Sequence, residues 1–261
     1  MLSPVKFLAF DTSTDQMALA LTDGAHVWQH SGPGGAQAST TLIPAILALL
    51  AEAGLTLDEL DAIVFGRGPG SFTGLRTACA VAQGLAFGVK HGAGIPVLPV
   101  DTLMALAEEA RYAEQGPLTP QSEPLHLTAL LDARMDEMYV QRYQFANGEC
   151  QALDDCRLIR PEALPLDAAA QWYAGNVFEV YAARLPAALA AAPCVTALPS
   201  AAALLRLAPA LAASGHCVAA SQALPLYVRD KVAQTTDERA QIKRDAELAQ
   251  AASLDAKALP S

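Results

Sequence analysis

The sequence predicts an α/β chain of two lobes, each built on a mixed sheet that opens with an antiparallel hairpin. Three observations predict this. Residues 7–21 and 127–142 repeat one pattern: a strand ending in an acidic residue, a turn and a second strand. Between the repeats, residues 115–124 are rich in Pro, Gln and Ser and mark a lobe boundary. Within the first lobe the apolar run 62–65 enters Gly66-Arg67-Gly68-Pro69-Gly70-Ser71-Phe72-Thr73-Gly74-Leu75-Arg76 and leaves it into the small, apolar run 77–89. That is a strand, a tight turn and a helix. Four glycines and a proline within nine residues describe backbone conformations that side chains would block.

Residues 6–10 read as a first strand ending in Asp11, 17–21 as a second and 26–30 as a third, with Asp23-Gly24 as the hairpin signal. A Gly/Pro loop at 32–35 precedes a helix over 40–53, with Leu42, Ile43, Ile46, Leu47, Leu49 and Leu50 at helical spacing. Ser39, Thr40 and Thr41 offer N-caps, Pro44 fits the first turn or a kink, and Gly54 stops the helix. Ser71 or Thr73 caps the helix of the glycine-rich segment, so that free N–H groups point out of the turn. A strand at 95–100 leads into a helix from Asp101 or Thr102 to about residue 114. The second lobe restarts with a strand at 125–131 ending in Asp132, a strand at 137–145 and the turn Ala146-Asn147-Gly148. Residues 172–174 form a short strand, and 187–192 and 201–213 are Ala/Leu-rich helices. The expected organisation is a first lobe at 1–114, a second at 115–234 and a charged, Ala-rich segment at 235–261, read as a mobile tail or a solvated helix.

At 261 residues and 27.2 kDa the chain can bury about 70% of its unfolded surface. Hydrophobic residues make up 52% and charged residues 17%, which excludes disorder of the whole chain. A net charge of −10 argues against autonomous binding to nucleic acid, which needs a basic surface. The five cysteines are odd in number and lack CxxC spacing, so reduced thiols are expected. No signal pattern follows Met1, and Gly, Pro or charge interrupts the longest apolar stretches. A cytoplasmic protein is expected.

The helix after the glycine-rich turn carries two rows of small residues. Gly74, Ala78, Ala82 and Ala86 form one, and Ala80, Gly84 and Gly88 the other. One row packs under the chain's own sheet and the other is spare; the sequence leaves open which. The helix at 40–53 is apolar on more than one face. Such excess predicts a helix–helix interface with a partner. No catalytic residue emerges. Ser71 sits in Gly-Ser-Phe-Thr-Gly, which lacks the Gly-x-Ser-x-Gly spacing of a nucleophile elbow. His26 and His30 fall in a strand and His91, His126 and His216 stand alone, so no metal site is expected.

Phe10-Asp11-Thr12-Ser13-Thr14, the 66–76 segment, Leu131-Asp132-Ala133-Arg134-Met135-Asp136-Glu137-Met138-Tyr139 and Pro225-Leu226-Tyr227-Val228-Arg229-Asp230 together resemble the bacterial TsaB family, formerly YeaZ. The resemblance runs over residues 6–236. It implies a two-lobed actin-like, sugar-kinase-like fold with duplicated mixed-sheet lobes. It also implies a non-catalytic scaffold and activator in the complex that makes threonylcarbamoyladenosine on tRNA. The implied partner is the catalytic threonylcarbamoyltransferase paralogue, TsaD-like, or another copy of the chain; the sequence leaves open whether the chain alone is a monomer or a homodimer. A third, TsaE-like ATPase subunit docks at the shared interface, and tRNA is met only indirectly. A separate synthase uses bicarbonate, threonine and ATP to make threonylcarbamoyl-AMP upstream. On this reading the partner surface is drawn from Leu42, Ile46, Leu50, Pro69, Gly70, Phe72, Thr73, Arg76, Ala80 and Gly84.

The superfamily's active ATPases hold phosphate and its metal in the first turn through an Asp-x-Gly-Thr pattern. Here Ser13 replaces that glycine, which leaves Asp11, Thr12 and Ser13 as a degraded phosphate turn. The matching turn at 132–136 contains no glycine. Laying residues 96–106 over the catalytic paralogue puts Thr102 and Leu106 at its metal-binding His-x-x-x-His pair. Many family members carry a histidine near position 38, where this chain has Ala38. No cofactor is expected. The alternative, an independent kinase-like enzyme or a glycoprotease-like peptidase, is opposed by the degraded turns and the replaced histidine pair.

Overall fold

A computed structural model describes residues 5–117 and 123–229. The first sheet is formed by β1 (Phe7–Asp11), β2 (Gln16–Thr22), β3 (Val27–Pro33), β4 (Ala62–Gly68) and β5 (Val97–Asp101), in the order β3-β2-β1-β4-β5. Helices α1 (Ala38–Ala53), α2 (Phe72–Gly88) and α3 (Thr102–Gln115) follow β3, β4 and β5. The second sheet contains β6 (Leu125–Asp132), β7 (Met138–Ala146), β8 (Glu149–Ala152), β10 (Trp172–Gly175) and β11 (Cys194–Thr196), in the order β11-β10-β6-β7-β8, with β9 (Arg157–Ile159) paired to β7. The one-turn α4 (Val177–Val180) follows β10, and α5 (Ala201–Ala213) follows β11.

The two sheets have the same topology. In each, the first two strands are antiparallel and the strand beside the first, on its other flank, runs parallel to it. The repeat seen in the sequence is therefore a repeat of structure. The helical cover differs. Side chains alternate across β1, with Leu8 and Phe10 turned toward α1 and α2, and Phe7 and Ala9 toward α5. Helix α3, the last element of the first lobe, packs instead on the second sheet through Leu103, Leu106, Ala107 and Ala110. Each lobe thus lends its last helix to the other, and residues up to Val228 form one compact unit. Lobe limits at 1–114 and 115–234 remain a proposal, and the 235–261 segment lies outside the described residues.

Several local expectations change. Helix α1 begins at Ala38 behind a 3-10 turn at Gly35–Gln37, and no side chain caps it. The hydroxyls of Thr40 and Thr41 instead donate to the Gln37 carbonyl at 2.9 and 3.0 Å. Gly54 ends the helix in the left-handed region, φ 66°. Helix α2 begins at Phe72, inside the glycine-rich segment, and β4 extends to Gly68. Residues 187–192 form only a 3-10 turn at Ala187–Ala191, because Pro186 and Pro193 leave a run too short to nucleate an α-helix.

Candidate functional site

The glycine-rich segment is built against the turn between β1 and β2. The Ser71 N–H donates to the Ser13 carbonyl at 2.7 Å, and the Thr12 hydroxyl donates to the Gly74 carbonyl at 2.7 Å. Ser71 caps α2, its hydroxyl oxygen accepting from the Gly74 N–H at 3.4 Å. A Cβ on Gly66 would overlap the Asp11 carboxylate, one on Gly70 would meet the Ser13 carbonyl oxygen at 2.5 Å, and one on Gly74 would overlap the Thr12 carbonyl oxygen. Three glycines of the segment are therefore required by the chain's own first turn, which lies against them.

That packing seals the turn. Asp11, Thr12 and Ser13 are 1%, 0% and 3% exposed. The Asp11 carboxylate accepts from the Ser13 hydroxyl and N–H at 2.6 and 2.8 Å, and from the Thr102 hydroxyl at 3.4 Å. Burial pushes the Asp11 carboxyl above its usual range, against the lowering effect of these donors. The polar groups of this degraded phosphate turn face inward, Asp11 bonded to Ser13 and Thr102, and Thr12 to Gly74. Thr102 and Leu106 are both wholly buried. Among the described residues no group of three or more His, Cys, Asp or Glu is placed to hold a metal ion.

The second turn is exposed at residues 134–136 and is held by other contacts. Arg134, Met135 and Asp136 all take left-handed backbone conformations, φ 61°, 56° and 59°. The Asp132 carboxylate accepts from the Tyr181 hydroxyl at 2.7 Å and the Arg134 N–H at 2.9 Å, and the Asp132 N–H donates to Asn176 Oδ1 at 2.9 Å. Burial and the bond to Asp132 push the Tyr181 hydroxyl up to about 12. The Arg134 guanidinium reaches Asp15, so a side chain of one turn clasps a side chain of the other. Sequence reasoning missed Asn176 and Tyr181, which lie more than forty positions from Asp132.

The outer face of α1 and α2 is the remaining candidate. On α2, Gly74, Ala78, Ala82 and Ala86 are buried, whereas Ala80, Gly84 and Gly88 are exposed, with nothing within 4 Å of a Cβ on Gly84 or Gly88. The spare row of small residues is the outer one. Phe72, Thr73 and Arg76 lie exposed at the head of the same helix and Phe87 at its end, while Gly70 is half-buried. Leu42, Ile46 and Leu50 are at most 4% exposed and lie in one core cluster with Phe10, Leu19 and Phe65 of their own sheet. Ile43 and Leu47 take the outward positions, 45% and 53% exposed. Pro69 is also buried.

The family model described as TsaD: tRNA N6-adenosine threonylcarbamoyltransferase matches residues 33–237. The "tRNA threonylcarbamoyladenosine biosynthesis protein TsaB" of Haemophilus influenzae is 32% identical over 233 residues, which is 86% of this chain and 94% of that protein. The protein of the same description from Escherichia coli is 30% identical over 235 residues, 88% of this chain and 96% of that one. The solved structure "YeaZ from Pseudomonas aeruginosa" superposes with a TM-score of 0.72 at 39% identity, over 85% of this chain and 99% of that chain.

Proposed function

The chain belongs to the TsaB family, and from that premise we propose that it is a non-catalytic subunit in the formation of threonylcarbamoyladenosine on tRNA. It binds and activates a TsaD-like threonylcarbamoyltransferase subunit of related fold. One observation supports the non-catalytic part most directly. The turn that would face a phosphate is filled by its own Asp11, Thr12 and Ser13, pressed against Gly66, Gly70 and Gly74. The surface left for function is the exposed side of α1 and α2, where Ala80 and Gly84 permit close approach of a partner helix and Phe72, Thr73 and Arg76 flank them.

Three further parts belong to the same proposal. A TsaE-like ATPase subunit docks where this chain meets the transferase. tRNA is reached through the partner, in keeping with a net charge of −10. The work is done in the cytoplasm; no helix among the described residues is long and apolar enough to cross a membrane. Reconstitution of tRNA modification from purified subunits tests the reading. Threonylcarbamoyl transfer by the cognate transferase subunit is expected to require this chain. Equal transfer in its absence would overturn the proposal.

A further inference from the structure

The segment after α5 returns to the first lobe and crosses the flank of α2. Val218 and Val97 exchange backbone hydrogen bonds at 2.8 and 2.9 Å. The Ala223 carbonyl accepts from Cys79 Sγ at 3.1 Å and from Gln83 Nε2 at 2.7 Å. The Leu226 N–H donates to the Arg67 carbonyl at 2.7 Å. This course sets the Tyr227 ring 5.4 Å from the Phe72 ring. The Tyr227 hydroxyl oxygen accepts from Arg76 Nε at 3.1 Å, and the Arg76 guanidinium lies 3.7 Å over the Phe72 ring. A flexible cation is thereby fixed in one orientation by an aromatic face and a phenol. Its two terminal nitrogens have no partner among the described residues.

We infer that Arg76, held by Phe72 and Tyr227, is a preset receptor for a carboxylate on the facing helices of the transferase subunit. The inference rests on the partnership proposed above and names its polar contact. Charge is the argument. Although the chain carries a net charge of −10, α1 and α2 contain only two charged residues, Glu52 and Arg76. A guanidinium on so uncharged a face is strongly disfavoured when an apolar surface covers it. Opposite a carboxylate, the same planar fork forms two parallel charge-assisted hydrogen bonds. Ala80, one turn along the same helix, lets the facing helix come close enough to dry that pair. The strap residue Tyr227 is then part of the partner surface although it lies 151 positions from Arg76.

The test measures the Kd of the full chain and three variants for the purified cognate transferase subunit, at low and at physiological ionic strength, beside each variant's melting temperature. Arg76→Ala is expected to weaken binding about 10- to 100-fold and to flatten its salt dependence. Tyr227→Phe should weaken it about 3- to 10-fold, and Arg76→Lys should restore only part of the loss, since an ammonium cannot present the fork. Melting temperatures should stay within about 2 °C of the parent. Unchanged affinity in Arg76→Ala, or a loss matched by a fall in melting temperature, overturns the inference and leaves the partnership standing. So does loss of self-association with intact transferase binding, which would assign the contact to a second copy. If the parent chain does not bind the transferase subunit at all, the partnership fails and the inference fails with it.

Discussion

Gly74→Ala should damage the fold, and Gly84→Ala on the same helix should not. At Gly74 a Cβ would lie 1.8 Å from the Thr12 carbonyl oxygen, where ordinary contact begins near 3.4 Å. Relief requires the head of α2 and the β1–β2 turn to separate by roughly 1.5 Å, and both are backbone, so no side chain can swing aside. Overpacking of this kind costs about 1–3 kcal/mol. The separation also stretches the 2.7 Å bond from the Thr12 hydroxyl to the Gly74 carbonyl, a further loss of about 0.5–1.5 kcal/mol. The sum is about 1.5–4.5 kcal/mol, or roughly 3–18 °C in melting temperature for a chain of this size. Gly84 is exposed and has open space around it, so alanine there gains helix propensity, up to about 1 kcal/mol. Urea unfolding of both variants beside the parent gives the comparison. A Gly74→Ala chain as stable as the parent, or two variants shifted alike, would refute the claim that the glycines exist to admit the first turn.

Other consequences are measurable. Because burial raises the Asp11 pKa in the folded state, the folded chain holds that proton more tightly than the unfolded chain does. Its contribution is therefore fully present below the ordinary value of 3.8 and is lost as pH rises through the raised value. Asp11→Asn should be at least as stable as the parent at neutral pH, with an advantage that shrinks toward pH 4 in urea titrations. Glu108→Ala should cost about 3–5 kcal/mol, since it strands the buried Arg111 and removes the 2.8 Å contact to Arg206 on α5; chemical denaturation checks this. The purified chain should turn over ATP at the background rate, and phosphate release at high protein concentration tests that. Ala82→Leu, on the buried row of α2, should lower the melting temperature, whereas Ala80→Leu should leave it near the parent value and weaken transferase binding.

Much of the fold was legible because the opening strand of each lobe is a largely apolar run that ends in an acidic residue, Asp11 in one and Asp132 in the other. The exchange of α3 and α5 between the sheets was not legible. Both helices are simply amphipathic, and nothing local states which sheet they cover. The missed β8, β9 and β11 are three or four residues long, too short to show a period. The site was legible in part. The two small-residue rows on α2 appeared as spacing, but their direction depends on the β1–β2 turn, which claims Gly74 for the inside. Six apolar residues between 42 and 50 fit either face of α1, and the sheet decides that Leu42, Ile46 and Leu50 are buried while Ile43 and Leu47 are exposed. Tyr227 could not be found from local pattern, since its contacts with Phe72 and Arg76 close only after the chain has passed through the second lobe.

On the proposed function, the working surface is the outer row of α2 and not the sealed turn. The most direct test puts Ala80→Leu and Asp11→Asn side by side in reconstituted tRNA threonylcarbamoylation with the cognate transferase subunit. Both folded variants are assayed at a chain concentration near the parent Kd. Ala80→Leu is expected to lower transfer about 5-fold or more, through association weakened about 10-fold or more, while Asp11→Asn supports transfer at the parent rate. Loss of transfer in Asp11→Asn with full transfer in Ala80→Leu would contradict that assignment.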